Sequence, residues 1–244
     1  MHEFLEFFPY KIARQSQVDA INFAIDASIK DNKKFIIIEA GTGVGKSAIG
    51  LTLGRYISSM PNSENVDFSP GTYFLTTQKI LQDQYVDDFG KGHGCMKSIK
   101  SSSNYKCTYH KKNTCQESQQ LLRTTDKDSK FFKSCTFNCK YKNKKNEFLE
   151  SKESVTNFPY FLAEAAYSGK IVPRDLLVVD EAHNVESELS KFIEITISER
   201  FCKHSLKLAW PGKCTQAKVV KWIKEIYYKK AKSQLDHVEK TLKR

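Results

Sequence analysis

Residues 40–47 read AGTGVGKS and follow FIII, an apolar and β-branched run at residues 35–38. A buried strand that opens into a glycine-rich turn ending in Gly-Lys-Ser aims backbone N–H groups at phosphate oxygens. In such a loop the lysine, here Lys46, reaches the β- and γ-phosphates of a nucleotide, and the hydroxyl of Ser47 holds Mg²⁺. The stretch therefore predicts a buried strand over residues 34–39 that leads into a phosphate-binding loop.

A second motif lies farther along the chain, where DEAH at residues 180–183 directly follows the apolar run LLVV at residues 176–179. Two adjacent carboxylates at the end of a buried strand suit a metal–nucleotide site. We expect Asp180 to hold the water shell of the metal and Glu181 to polarise the attacking water. In this order, the two motifs predict an enzyme that hydrolyses ATP.

Length and composition bound the architecture. The 244 residues can bury one substantial core and a satellite element, but not two full ATPase domains. With 40% hydrophobic and 12% aromatic residues, the chain has the composition of a folded protein. The formal net charge is +11, which indicates a polyanionic partner, nucleic acid above all; solvated lysine faces are the alternative.

Nothing in the sequence indicates a membrane partner. No apolar run approaches the ~18–20 residues that span a bilayer. The N-terminus is acidic and aromatic, unlike a secretory signal. We therefore expect an intracellular protein that is not secreted, cytoplasmic or, in a eukaryotic cell, nuclear.

Apolar patterns along the chain alternate between strand and helix spacing, which predicts an α/β fold with a parallel sheet covered on both faces. Beyond the two motifs, strands are expected at residues 72–75 and 155–158, and helices at residues 10–29, 47–59, 78–89 and 160–167. After His183 the chain is helical and polar. Its last stretch carries apolar residues at near-heptad spacing, which indicates a partner helix, with direct DNA contact as the alternative.

The composition changes at Gly90, where a stretch rich in Lys, Ser, Asn and Cys begins. Four soft thiolates suit tetrahedral zinc or an iron–sulfur cluster, and the spacing does not choose between them. Cys95 could replace one of the four, whereas Cys202 and Cys214 are expected to be ordinary core or surface thiols. The candidate ligands are Cys107, Cys115, Cys135 and Cys139.

Ala40 at the start of the phosphate loop and the DEAH box both resemble superfamily 2 helicases. Further stretches resemble the XPD/DinG family of superfamily 2 DNA helicases, in the family's order. These are TTQKILQDQY at 76–85, SSNYKC at 102–107, CKY at 139–141 and VTNFPYFL at 155–162. The resemblance runs from about residue 8 to residue 190.

This resemblance implies a RecA-like P-loop domain, interrupted by a cysteine-rich insertion that carries a [4Fe–4S] cluster and followed by a helical arch-like segment. It favours the cluster over Zn²⁺. The implied divisions are 1–89 and 151–190 for the first RecA-like motor domain, 90–150 for the insertion, and 191–244 for the start of a truncated arch.

The resemblance also implies roles for particular residues. His183 would link hydrolysis to nucleic-acid contacts, although a helix-capping role is the alternative. The catalytic set is Lys46, Asp180, Glu181 and His183. ATP and Mg²⁺ would be bound by Arg14, Gln17, Gly41, Thr42, Gly43, Gly45, Lys46, Ser47 and Asp180. The DNA backbone would be bound by Thr76, Thr77 and Gln78.

The implied partners are single-stranded or forked DNA and a second RecA-like domain, in cis or in trans. Nothing after residue 190 resembles the later helicase motifs, so we expect the N-terminal half of such an enzyme. The alternative is a zinc-containing nucleic-acid-binding protein that uses ATP as a ligand or switch. A related nuclease is disfavoured because no exonuclease acidic triad precedes the motor core.

Overall fold

A computed structural model describes residues 3–60, 68–90, 96–194 and 196–242. The chain divides into two compact units, Met1–Phe192 and Ile193–Arg244. In the first unit the helices are α1 (Gln15–Ile25), α2 (Lys46–Ser59), α3 (Lys79–Phe89), α4 (Cys115–Leu121), α5 (Lys130–Phe137), α6 (Lys140–Glu150), α7 (Phe158–Ala163) and α8 (Val185–Ile193), the last of which ends at the boundary. The second unit contains α9 (Glu199–His204), α10 (Gln216–Trp222) and α11 (Tyr228–Leu242).

A parallel sheet forms the centre of the first unit. Its four strands lie in the order β2-β3-β1-β4, and every pair is parallel. In the central strand, Phe74 pairs with Val155 on one side and with Val178 on the other. The strands are β1 (Ser69–Thr76), β2 (Lys97–Ser98), β3 (Glu153–Asn157) and β4 (Arg174–Val179). The predicted α/β fold with a parallel sheet is confirmed.

Helices cover both faces of this sheet. Neighbouring residues of β1 point to opposite sides of the sheet, and each side packs against helices. Phe74 packs with Tyr85 and Phe89 of α3, whereas Tyr73 packs with Phe148 of α6 and with Tyr160. A third apolar cluster joins the N-terminal segment to α1 and α2. Its buried members are Phe4, Phe8, Val18, Ile21, Ala24, Ala48, Ile49 and Leu53.

The strand predicted over residues 34–39 is wrong. The segment has no regular secondary structure, and no strand within the described residues pairs with it. Ile36 and Ile38 pack against the α1–α2 cluster, while Phe35 and Ile37 are 91% and 84% exposed. The alternation of a strand is therefore present without the hydrogen-bonded neighbour that makes a strand.

Two helix boundaries also differ from the predictions. The first helix begins at Gln15 rather than after Pro9, and it continues into a wider turn at Asp26–Lys30. The helix predicted at residues 160–167 begins with Phe158, where the side chain of Asn157 caps it by accepting a hydrogen bond from the Tyr160 N–H at 3.0 Å.

The cysteine-rich stretch contains α4, α5 and α6. Thr114 caps α4, since its hydroxyl accepts from the Glu117 N–H while the Glu117 carboxylate accepts from the Thr114 N–H. With few aliphatic residues available, cysteine and aromatic side chains fill the interior of this stretch. Its buried members include Cys115, Phe131, Cys135, Cys139, Tyr141 and Phe148.

In its described part the second unit has helices as its regular structure, with residues 205–215 between α9 and α10 outside any helix. Cys202 is buried, and the rings of Trp210 and Trp222 meet edge to face with centroids 5.6 Å apart. The near-heptad residues Leu235 and Val238 are exposed on α11, so a partner helix for this stripe stays a prediction. Across the described ranges, no helix combines the length and apolar character needed to cross a membrane.

Candidate nucleotide site and cysteine cluster

The phosphate loop follows a course that depends on glycine. Gly43 and Gly45 have φ angles of 77° and 86°, in the left-handed region that residues with a Cβ rarely adopt. A Cβ on Gly45 would also lie 2.5 Å from the Nε2 atom of Gln17. Directly after this loop, α2 begins at Lys46, so the free N–H groups of its first turn lie where they bind anions.

Two side chains at the start of α1 donate hydrogen bonds to carbonyl groups of the loop. The Nη1 atom of Arg14 donates to the Gly43 carbonyl at 2.8 Å, and Nε2 of Gln17 donates to the Val44 carbonyl at 2.7 Å. Gln17 is buried, and its Oε1 atom accepts from the Arg14 backbone N–H at 2.9 Å. Both residues therefore contact the phosphate loop, while their contact with ATP stays a prediction.

The two sequence motifs meet in space. The Nζ atom of Lys46 lies 4.0 Å from Oε1 of Glu181 and 3.3 Å from the Ala40 carbonyl oxygen. Both charged side chains are partly exposed, so a phosphate group can approach them. On the loop itself Gly41 and Thr42 are exposed.

Glu181 has an unusual backbone. Its φ and ψ angles are 53° and 48°, a left-handed conformation that is rare for a residue with a side chain. Such conformations cost free energy and are concentrated at functional sites. Nothing in the residue pattern signals this conformation, because the motif specifies the side chain and not the backbone angles.

Asp180 is held by donors on both carboxylate oxygens. Its Oδ1 atom accepts from the Glu181 backbone N–H at 3.0 Å, and Oδ2 accepts from the phenol of Tyr85 at 3.4 Å. Burial raises the pKa of Asp180, and the Glu181 N–H acts in the opposite direction. The contribution of Tyr85 was missed from the sequence, where the residue counts simply as part of the apolar face of α3.

His183 lies beside the same carboxylates. Its Nδ1 atom is 3.3 Å from Oε2 of Glu181, and its Nε2 atom is 3.0 Å from the Asn184 amide nitrogen. The imidazole is largely exposed. Solvent therefore reaches the site on the side of His183.

The three residues expected to contact DNA lie at the end of β1. Thr76 is fully buried, and its hydroxyl donates to the Gln78 carbonyl oxygen at 3.1 Å. Thr77 is half-buried and Gln78 is exposed. Because the Asp180 N–H donates to the Leu75 carbonyl oxygen, this strand end adjoins the nucleotide site.

The four candidate cysteines line one small cavity between α4, α5 and α6. Its walls also include Thr108, Tyr109, Ser118, Phe131 and Ser134. The Sγ atoms of Cys115 and Cys139 are 4.0 Å apart. Cys95, the alternative ligand, lies outside the described residues.

The cavity affects the ionisation of three of its thiols, Cys107, Cys115 and Cys135. Burial, together with the nearby Cys139 and Cys135, raises the pKa of Cys115 to about 12. Burial also raises the pKa of Cys135, whereas that of Cys107 is lowered because hydrogen bonds from Ser118 and the His110 backbone outweigh its burial. A bound cation would lower the pKa of Cys115 and Cys135, since metal ligation favours the thiolate.

The cavity does not have the geometry of a closed coordination shell. Within the part of the chain that the structure describes, no three Cys, His, Asp or Glu side chains stand at metal-binding spacing. The donor set of four thiols nonetheless suits a soft metal centre. The structure brings the four predicted ligands together around one cavity.

Aromatic residues around the cavity differ in their freedom. Tyr105 packs on Tyr141 with ring centroids 5.4 Å apart, and Tyr109 packs on Phe131 at the same distance. Phe137, by contrast, is 81% exposed. Of these aromatic residues near the cysteines, Phe137 has the most exposed ring.

The family model described as "Type III restriction enzyme, res subunit" matches residues 11–209. The match includes the phosphate loop, the cysteine-rich stretch and the DEAH box. No curated protein matches the chain.

Proposed function

Because the chain belongs to the family of type III restriction enzyme res subunits, a superfamily 2 helicase-like ATPase domain, we propose that it is the nucleotide-binding motor domain of an XPD/DinG-type DNA helicase. The observation that carries the proposal is the approach of Lys46 to Glu181, at 4.0 Å. It joins a glycine-bent anion site to a carboxylate pair, which is the arrangement that phosphoryl transfer to water requires.

Each part of the site has its own task. The N–H groups of the loop and the ammonium of Lys46 bind the phosphates, and Asp180 with Ser47 would hold Mg²⁺. The metal would neutralise charge on the transferred phosphoryl group. Glu181 orients the attacking water and accepts its proton, and its approach to His183 provides a link toward the nucleic-acid side of the domain.

Nucleic acid would bind at the neighbouring strand end. Thr77 and Gln78 are accessible there, while the buried Thr76 supports the turn through its bond to Gln78. Contacts of this kind bind the backbone without reading sequence. The net charge of +11 favours a polyanionic partner, and the resemblance to XPD/DinG helicases makes single-stranded or forked DNA the proposed one.

Superfamily 2 enzymes hydrolyse ATP between two RecA-like domains, so a second domain, in cis or in trans, is part of the proposal. Residues 1–89 and 151–190 would form the first RecA-like domain, 90–150 the insertion, and 191–244 an arch-like segment. A facing domain would supply an arginine finger, worth roughly 10³–10⁵ in turnover in related enzymes.

The test is ATP turnover with and without single-stranded DNA, by the chain alone and with a separately expressed second motor domain. We expect slow hydrolysis and no unwinding by the chain alone, and DNA-stimulated hydrolysis with the second domain. Lys46→Ala should abolish turnover in both settings. Robust unwinding by these residues alone would contradict the proposed architecture.

We further propose that Cys107, Cys115, Cys135 and Cys139 hold a [4Fe–4S] cluster. Support comes from the shared cavity that the four thiols line. A zinc ion is the second candidate, because tetrahedral ligation with Zn–S bonds of ~2.3 Å separates two sulfurs by about 3.8 Å. The observed 4.0 Å between Cys115 and Cys139 is close to that value.

Anaerobic purification, an absorption spectrum and metal analysis separate the two candidates. Iron with a broad visible band supports the cluster, and stoichiometric zinc without iron supports a zinc-containing nucleic-acid-binding ATPase. Cys107→Ser should release the metal and loosen the insertion, because binding free energy is local folding free energy. Cys202→Ser, the matched control at a buried thiol outside the cavity, should do neither. Full metal content in Cys107→Ser would direct attention to Cys95.

A further inference from the structure

Tyr85 is a buried phenol at the edge of the nucleotide site. It lies on α3 with 3% of its surface exposed, and its ring packs against Phe74 and Phe89 with centroids 5.6 and 5.8 Å away. Only the hydroxyl leaves this apolar cluster, and it lies 3.4 Å from Oδ2 of Asp180. The same phenol interacts with the side chain of Ser47.

Burial, reinforced by the negative charge of Asp180, raises the pKa of Tyr85 far above its usual range. The phenol therefore stays protonated throughout the neutral pH range, and its O–H donates to the carboxylate. Burial also raises the pKa of Asp180. The hydrogen bond from Tyr85 acts against that rise.

The two residues that Tyr85 joins are the two expected to hold the metal. Asp180 Oδ1 is fixed by the Glu181 N–H, so without the phenol Oδ2 would have no side-chain donor among the described residues. A carboxylate held at both oxygens is oriented before the metal binds.

We propose that Tyr85 is a positioning residue for the metal site, which orients the Asp180 carboxylate through the phenol hydrogen bond. This inference rests on the proposed function, because it assigns Mg²⁺ and ATP to the same site. Tyr85 does not touch the substrate; it acts through Asp180.

The test compares Tyr85→Phe with Tyr73→Phe. Both variants remove one phenolic oxygen from a buried ring, but Tyr73 lies on β1 in the cluster on the opposite face of the sheet, against Phe148 and Phe161. In Tyr85→Phe the Mg²⁺ concentration for half-maximal ATP hydrolysis should rise about 3- to 10-fold, the range of an ordinary hydrogen bond. Turnover at saturating Mg²⁺ should change much less.

A second measurement needs no nucleotide. The thermal midpoint of Tyr85→Phe should fall below that of wild type at neutral pH, because the phenol hydrogen bond to the Asp180 carboxylate is lost. In the Asp180→Asn background, where the carboxylate is already absent, the same substitution should lower the midpoint less. If wild type binds no Mg²⁺–ATP, the proposed function fails, and this cycle still decides the Tyr85–Asp180 interaction. An equal fall in both backgrounds, or an unchanged Mg²⁺ requirement in an active enzyme, would overturn the inference.

Discussion

Glu181 combines a catalytic carboxylate with a backbone conformation that its residue type disfavours. At φ 53° a residue with a Cβ costs about 1–2 kcal/mol relative to the ordinary helical region, whereas glycine adopts the conformation freely. The Glu181 side chain is partly exposed, and its carboxylate lies 4.0 Å from Lys46, so its chemistry rather than its packing accounts for a side chain at this position.

Substitutions at Glu181 separate the two effects. Glu181→Gly and Glu181→Ala both delete the carboxylate, so both should lose hydrolysis by about 10²–10⁴-fold. Alanine is strained in this left-handed conformation and glycine is not. The glycine variant should therefore have a free energy of unfolding about 1 kcal/mol larger, and it should unfold at a higher urea concentration. Equal stability of the two variants would show that the left-handed backbone is not strained.

The burial of the Asp180 carboxylate also costs folding free energy, and stability measurements can detect this cost. Burial raises its pKa in the folded state, so stability linked to its protonation is present below the unfolded pKa of ~3.9 and is lost as pH rises through the folded pKa. Asp180→Asn should therefore be more stable than wild type at pH 7 without Mg²⁺, and the gain should vanish near pH 3. Urea unfolding at the two pH values measures this, and a variant that is less stable at pH 7 would contradict it.

The sequence identified the charged residues of the site because each sits at a fixed place in a motif. It did not identify Tyr85, since an aromatic residue on an apolar helix face is ordinarily a core residue. The conformation of Glu181 was also out of reach, because backbone angles follow from the surrounding contacts. In both cases the missing information is tertiary.

At the scale of elements, β1, β3 and β4 follow from their apolar runs and the turns beside them. The segment over residues 34–39 shows the limit of that reasoning. Its composition is that of a buried strand, but a strand also needs a neighbour, and β4 pairs only with β1 among the described residues. Composition alone cannot supply the neighbour.

The same segment makes a prediction about stability. Ile36→Ala and Ile38→Ala remove contacts with the α1–α2 cluster and should cost about 1–2 kcal/mol each. Phe35→Ala and Ile37→Ala, at exposed positions, should cost under about 0.5 kcal/mol. Urea midpoints of the four variants test the alternation, and equal costs at neighbouring positions would contradict the observed packing.

For the whole molecule, the excess of 11 positive charges is the property that bears most directly on its partner. Each phosphate neutralised on a single strand releases counterions, so the binding constant falls with salt. About five such contacts would weaken binding to single-stranded DNA about 100-fold between 50 and 200 mM salt. Fluorescence anisotropy measures this slope, and affinity that is independent of salt would show that the charge is only a solvated surface.

The central claim is that residues 40–47 and the DEAH box form one Mg²⁺–nucleotide site. Calorimetric titration with Mg²⁺ and ATP into wild type, Lys46→Ala and Glu181→Gln tests it most directly. Wild type and Glu181→Gln should bind, because glutamine removes the base and leaves the phosphate contacts in place. Lys46→Ala should show no measurable binding while its thermal unfolding stays close to that of wild type. Binding by Lys46→Ala as tight as by wild type would contradict the claim.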